Sequence, residues 1–256
     1  CRQQISPGFF HVFVTRGIFD CCFVSNRSRE NTNGFPLFVH QHDGLFNEKH
    51  ANMNQNVMLD LIPQGKKKQN VSELSSMNSA LDLFICIYAQ LHSVKYRLRY
   101  VDFLQRGYPH VFRPSSTKLY HELAQLGKDL IELHLMDSPK LDYGITYLSE
   151  DGLSQVDKVS YSDKTVWINE EKTRGFKGVS EEVWSFQVGS YRVCEKWLKD
   201  REAKGGRNPH AGRVLTDEEI QHYQKIITTI NESIRIMAEI DKTIERYGGW
   251  PDAFKS

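Results

Sequence analysis

The segment from Thr216 to Pro251 constrains the fold more than any other part of this chain. Thr216 with Glu219 three residues on makes a capping box, and Gly248, Gly249 and Pro251 close the far end. Between them Ile220, Tyr223, Ile227, Ile230, Ile234, Met237 and Ile244 recur three or four apart, so one long helix presents a single apolar stripe that must be packed against something. The stripe has two possible uses: burial in the chain's own core, or docking on a partner.

The remainder is mixed. Short runs rich in aromatic and β-branched residues, "FFHVFV" (9–14), "IFDCCFV" (18–24) and "FPLFVH" (35–40), read as strands, as do "YGITYLS", "VDKVSYS" and "KTVWIN" farther on. Leu81, Phe84, Ile85, Tyr88 and Leu91 have helical spacing, and a second helical block runs over 119–136 with Ser116 or Thr117 as its N-cap. Residues 41–80 are rich in Asn, Ser, Gln and Lys without periodicity, which reads as a long, partly mobile polar insertion. The expected class is therefore α+β. Residues 1–40 and 140–192 are expected to be β-rich, 81–138 and 193–256 helical, with a long C-terminal helix.

Charge and cysteine content narrow the function. The 256 residues carry 33 basic and 32 acidic side chains, so any nucleic-acid face must be local rather than spread over the whole chain. Five scattered cysteines, with no CxxC and no zinc-type histidine spacing, point to reduced thiols in a cytoplasmic protein. "LDLFICIYAQL" is about half a membrane span. A start at Cys1 rather than Met reads as a piece of a longer polypeptide.

Catalytic motifs are missing. No two prolines are adjacent, so the Pro-Pro-aromatic turn of amino-methylating DNA enzymes is absent, as are GxGxxG, GxxxxGK[ST] and HExxH. Asp157 or Asp163 with Glu170 and Lys172 resembles a loose Mg²⁺ nuclease pattern, against which stands the simpler reading of "NEEKTRG" as a solvated hairpin loop. His134 reads as a helix-face histidine. No cofactor or metal site and no catalytic residue is expected in this chain.

Basic residues are more informative. Lys66, Lys67 and Lys68 lie in "QGKKKQN", and Arg27 and Arg29 in "SNRSRENTNG" beside asparagines that could reach base edges. The stretch from Gly189 to Arg207 offers Tyr191, Arg192, Lys196, Lys199, Arg201, Lys204 and Arg207 around a short helix whose Val193, Trp197 and Leu198 form its apolar stripe. With Arg174 and Lys177 these make up the candidate DNA-binding set. Such cations would give salt-dependent affinity and register without reading sequence. Trp197 is expected in the core, at a cost of about 3–5 kcal/mol for Trp197→Ala.

"EEVWSFQVGSYRVCEKWLKDR" followed by "RVLTDEEIQHYQKIITTINESIRIMAEID" resembles the C-terminal specificity region of type ISP restriction-modification enzymes and of adenine-specific DNA methyltransferases with a fused target-recognition domain. "HVFVTRGIFD", "FPLFVH", "FICIYAQLHSVKYRLRYVDFL" and "KLYHELAQLGKDLIELHLM" follow that family's order, so the resemblance covers most of the chain. Its most specific part is Gly189, Tyr191, Cys194, Lys196, Trp197, Leu198, Lys199, Asp200 and Arg201. The resemblance implies a target-recognition domain that selects double-stranded DNA. The upstream part of the polypeptide would methylate adenine using S-adenosylmethionine, with or without a Mg²⁺-dependent nuclease. Residues 41–79 and "REAKGGRNPHAGRVL" are longer than in that family's pattern and are either specificity loops or decoration.

Overall fold

The computed structural model describes residues 12–19, 34–43, 46–63, 77–104, 107–139, 144–150, 152–188, 191–204 and 211–255. In chain order its elements are β1 (Phe38–Asp43), β2 (Phe46–Ala51), α1 (Gln55–Leu61), α2 (Met77–His92), α3 (Val94–Arg99), α4 (Val101–Leu104), β3 (Arg113–Pro114) and α5 (Thr117–His134). There follow β4 (Thr146–Ser149), β5 (Ser160–Ser162), β6 (Thr165–Trp167), β7 (Arg174–Lys177), α6 (Glu181–Ser185), β8 (Gln187–Val188), β9 (Tyr191–Arg192), α7 (Val193–Lys199), α8 (Asp217–Arg246) and β10 (Phe254–Lys255). Separate helical and antiparallel parts make the class α+β, as the sequence predicts.

The capping box forms as written. Thr216 N donates to Glu219 Oε2 at 3.2 Å and Glu219 N to Thr216 Oγ1 at 3.3 Å, satisfying two donors that the helix start would leave orphaned. At the other end Gly248 and Gly249 adopt positive φ, and their amides donate to Glu245 O and Ile244 O, which turns the chain out of α8.

Contacts divide the chain into two compact units, residues 1–135 with 235–256, and residues 136–234. In the first, α2 and α5 pack side by side through Ala80, Leu83, Cys86 and Ala89 and through Leu119, Leu123, Leu130 and Leu133. Gly127 makes the approach possible, since a Cβ there would lie 2.2 Å from Ile85 O. Ile236, Met237, Ile240 and Ile244 of α8 are buried in the same unit. A further cluster joins Leu91, Tyr96 and Leu104 to Phe112 and Trp250. There Ser93 Oγ donates to Asp241 and accepts from Trp250 Nε1 at 3.0 Å.

The second unit is built on a four-stranded antiparallel sheet of order β4-β7-β6-β5. Register places Tyr147, Phe176, Val166 and Tyr161 in one row on the inner face. There Phe176 meets Tyr223 of α8 edge-on at 4.5 Å and Tyr161 stacks on Trp184 of α6 at 5.3 Å. The opposite face carries the rows Thr146, Lys177, Thr165, Ser162 and Leu148, Gly175, Trp167, Ser160. Ile220, Tyr223, Ile227, Ile230 and Ile234 of α8 belong to this unit's core. The apolar stripe is thus consumed within the chain, which removes the basis for reading α8 as a partner-docking helix.

Several local expectations change. Residues 12–14 and 18–19 form no strand, while 9–11 and 20–24 lie outside the described residues. The polar insertion contains the β1–β2 hairpin and α1, capped by the Asn54 side chain on Asn56 N at 2.9 Å; residues 64–76 lie outside the described residues. "EEVWS", within the β-rich stretch, is helix α6, because Ser180 caps it by accepting from Val183 N. Leu81 is exposed, whereas Leu83, Cys86 and Ala89 are buried: α2 is covered on most sides and its burial does not follow a single stripe.

Candidate nucleic-acid interface

The candidate residues that can be placed all fall in the second unit. Arg27, Arg29, Lys66, Lys67, Lys68 and Arg207 lie outside the described residues. Tyr191 and Arg192 form the second strand of the β8–β9 hairpin and lead directly into α7. Cys194 and Leu198 turn inward, and Cys194 O accepts from the buried Tyr223 hydroxyl at 3.0 Å, so the helix is anchored to the core through its backbone as well as its side chains.

That anchoring fixes which cations reach solvent. Arg192, Lys196 and Lys199 keep exposed heads, each near a carboxylate one turn on: Arg192 with Glu195 at 3.7 Å, Lys196 with Asp200, and Lys199 with Glu202 at 3.1 Å. Lys196 also sits 5.7 Å from the centre of the Tyr191 ring. Exposed pairs of this kind are worth at most about 1 kcal/mol, so a phosphate group can displace the carboxylate at little cost. Glu202 is the exception, since it also accepts from Val159 N at 2.7 Å and is held in place. Lys177 and Lys204 are exposed, and among the described residues neither is ion-paired.

Arg201 is committed to the fold. Its guanidinium lies 3.5 Å from the Trp197 ring centre, donates to Trp197 O at 2.9 Å and faces Glu219 at 3.5 Å; Arg213 meets the same carboxylate at 2.9 Å. Trp197 stacks on Tyr223 at 5.0 Å and is half-buried against the core rather than fully within it.

Arg174, another of the candidate cations, is buried within β7, donating to Gln155 O at 3.1 Å and pairing with Asp157 at 2.8 Å. A buried guanidinium requires such partners.

The "NEEKTRG" turn joins β6 to β7 with Glu170, Glu171 and Lys172 exposed, as a solvated hairpin loop would have them, and it is braced from within by Asn169. Asn169 is buried, its Oδ1 accepting from Thr173 N and Arg174 N and its Nδ2 donating to Thr173 Oγ1 and Glu171. Glu170 pairs with Lys158 at 2.6 Å, which draws the carboxyl below its ordinary range. Among the described residues no group of three His, Cys, Asp or Glu side chains is placed to hold a metal ion. Of the acids in the nuclease-like pattern, Asp157 and Glu170 are each engaged by a different cation, and Asp163 is exposed in the β5–β6 turn.

Elsewhere, sequence reasoning missed a buried polar cluster. Tyr88 Oη and His134 Nδ1 share a hydrogen bond at 2.6 Å, and the His92 ring lies tilted against both rings, 4.3 and 5.4 Å from their centres. Burial, with Arg97 adding repulsion, lowers His134 to about 4 and His92 well below its usual value, so both are neutral at pH 7. The i, i+4 pair Tyr88 and His92 was the available signal. The described thiols, Cys86 and Cys194, are buried, free and pushed up to about 12 by desolvation. Among the described residues no helix is long and apolar enough to cross a membrane.

Two solved structures share the fold. The ATP-dependent Type ISP restriction-modification enzyme LlaBIII bound to DNA matches 81% of this chain at 19% identity with a TM-score of 0.56. A DrdV–DNA complex matches 80% at 17% identity with a TM-score of 0.58. The matched regions span 13% and 21% of those two chains. No curated protein matches the chain. The Type ISP C-terminal specificity domain, by contrast, matches over residues 1–239. With nearly the whole chain covered, this protein belongs to the Type ISP C-terminal specificity domain family.

Proposed function

We propose that this chain is the DNA target-recognition part of a restriction-modification polypeptide. The observation that carries the reading is the family match over residues 1–239. The second unit supports it with exposed cations on a rigid frame: Arg192, Lys196 and Lys199 around α7 and Lys177 on the sheet, their backbones held by the core. These supply phosphate contacts and register, whereas base discrimination requires polar groups reaching a groove edge.

In this reading the rest of the polypeptide carries the adenine methylase with its S-adenosylmethionine, and any nuclease. A near-neutral specificity part suits such an arrangement, because the remaining domains complete the clamp on DNA.

The test is selection of duplexes from a randomised pool by the purified chain, followed by salt titration of the winner. The expected result is one enriched site bound at least about 10³-fold better than unrelated duplex, with affinity falling steeply as salt rises. A folded chain that enriches no sequence refutes target recognition.

A further inference from the structure

The geometry points to a second DNA-contacting surface in the same unit: the outer face of the four-stranded sheet, where Ser162, positioned by Trp167, together with Lys172 and Lys177 receives the phosphate backbone of duplex DNA. This rests on the reading of the chain as a DNA-recognition domain and names a part of its footprint that α7 does not include.

The row Thr146, Lys177, Thr165, Ser162 is hydroxyl and ammonium throughout; Thr146 and Lys177 are exposed and Ser162 half-buried, while Thr165 between them is buried. In the neighbouring row the Trp167 ring lies over Gly175, where a Cβ would come within 3.1 Å of Trp167 Cε3. The indole is therefore held flat on the sheet and only half-buried.

Ser162 is the centre of the arrangement. Its Oγ accepts from Trp167 Nε1 at 3.0 Å and from Lys172 Nζ at 3.0 Å. A hydroxyl has two acceptor sites and one proton, so with both acceptor sites used Ser162 has its proton left to give. The Trp167 N–H is spent on Ser162, so the donors left for an anionic oxygen are the Ser162 O–H and the two remaining N–H groups of the Lys172 ammonium.

Charge complementarity selects the occupant. In the adjoining turn Glu170 is neutralised by Lys158 and Glu171 is held by the neutral Asn169 amide, whereas Lys164, Lys172 and Lys177 have no carboxylate partner among the described residues. Asp163 in the β5–β6 turn, Glu171 beside Lys172 and Glu150 at the end of β4 are exposed acids near these three ammonium groups. Strand spacing of about 4.8 Å puts Lys177 and Ser162, two strands apart, roughly 10 Å from each other, so one face can meet successive phosphates. Lys172 is presented by the Asn169-braced turn and not by a loose loop, so little ordering is required on binding.

The experiment compares the unaltered chain with a K172N/K177Q variant by fluorescence anisotropy on a labelled 30-base-pair duplex across a salt series. Asn is chosen at 172 because that residue has φ 56, a conformation Asn tolerates. Loss of two phosphate contacts should reduce the slope of log K against log salt by about 1.8, at an unchanged melting temperature. In parallel, lysine acetylation of the unaltered chain, read by mass spectrometry, should show Lys172 and Lys177 protected by the duplex; this arm needs no variant to fold. Binding by both proteins with the same slope and no protection overturns the sheet-face assignment and leaves the DNA-recognition reading standing. No binding by the folded, unaltered chain overturns both.

Discussion

Replacing Trp197 by alanine measures how far α7 is built into the second unit. A fully buried tryptophan costs about 3–5 kcal/mol on truncation, but Trp197 is half-buried, which leaves about 2 kcal/mol from burial. Stacking on Tyr223 at 5.0 Å adds about 1 kcal/mol, and the Arg201 guanidinium 3.5 Å from the ring centre adds about 0.5 kcal/mol. The expected loss is thus about 3.5 kcal/mol, in the lower part of the range that the sequence alone predicts. Urea denaturation followed by circular dichroism reads it as a lower midpoint at constant slope, and heating as a drop in Tm of about 7–14 °C. Trp197→Phe, which keeps an aromatic partner for Tyr223, should cost about 1 kcal/mol. A loss below about 1 kcal/mol for the alanine variant would refute the reasoning, because the stacked Arg201–Trp197–Tyr223 column could not then be holding the helix.

Two further outcomes follow from the first unit. Gly127→Ala places a Cβ 2.2 Å from the backbone oxygen of Ile85, which cannot swing aside, so forced separation of α2 and α5 outweighs the better helix propensity of alanine. A net loss of about 2 kcal/mol is expected in denaturant, and a stabilised variant would contradict the packing described. His134 titrates near 6.5 when unfolded and at about 4 in the fold, so between these values the unfolded chain binds more protons and stability rises with pH. Stability should therefore be lost as pH falls from about 6.5 towards 4, and His134→Gln should flatten that part of the Tm profile; parallel profiles would show that His134 is not desolvated.

The Asn169 turn shows why a sequence reading stops where it does. "NEEKTRG" is polar at six of seven positions and reads as solvent-facing, yet Asn169 and Arg174 are buried because Thr173, Gln155 and Asp157 supply their hydrogen bonds from neighbouring segments. Residues 46–51 show the same limit in reverse: with Asn, Glu, Lys and His they carry little strand signal, and pairing with 38–43 makes them β2.

What the sequence determined by itself was local or inherited. The capping box and glycine stop of α8, the Ser116 cap of α5 and the α+β class rest on neighbouring residues and spacing, and the family is carried by motifs along the chain. Tertiary structure decided which partners each described charged residue meets. Whether Arg174, Arg201 or Lys177 is an anchor or a free cation depends on which carboxylates and rings the fold brings within a few ångströms, and those partners are 17 or 18 residues away for Arg174 with Asp157 and Arg201 with Glu219. Hydrogen bonds and ion pairs act over about one contact distance in space, so no pattern of spacing along the chain encodes them.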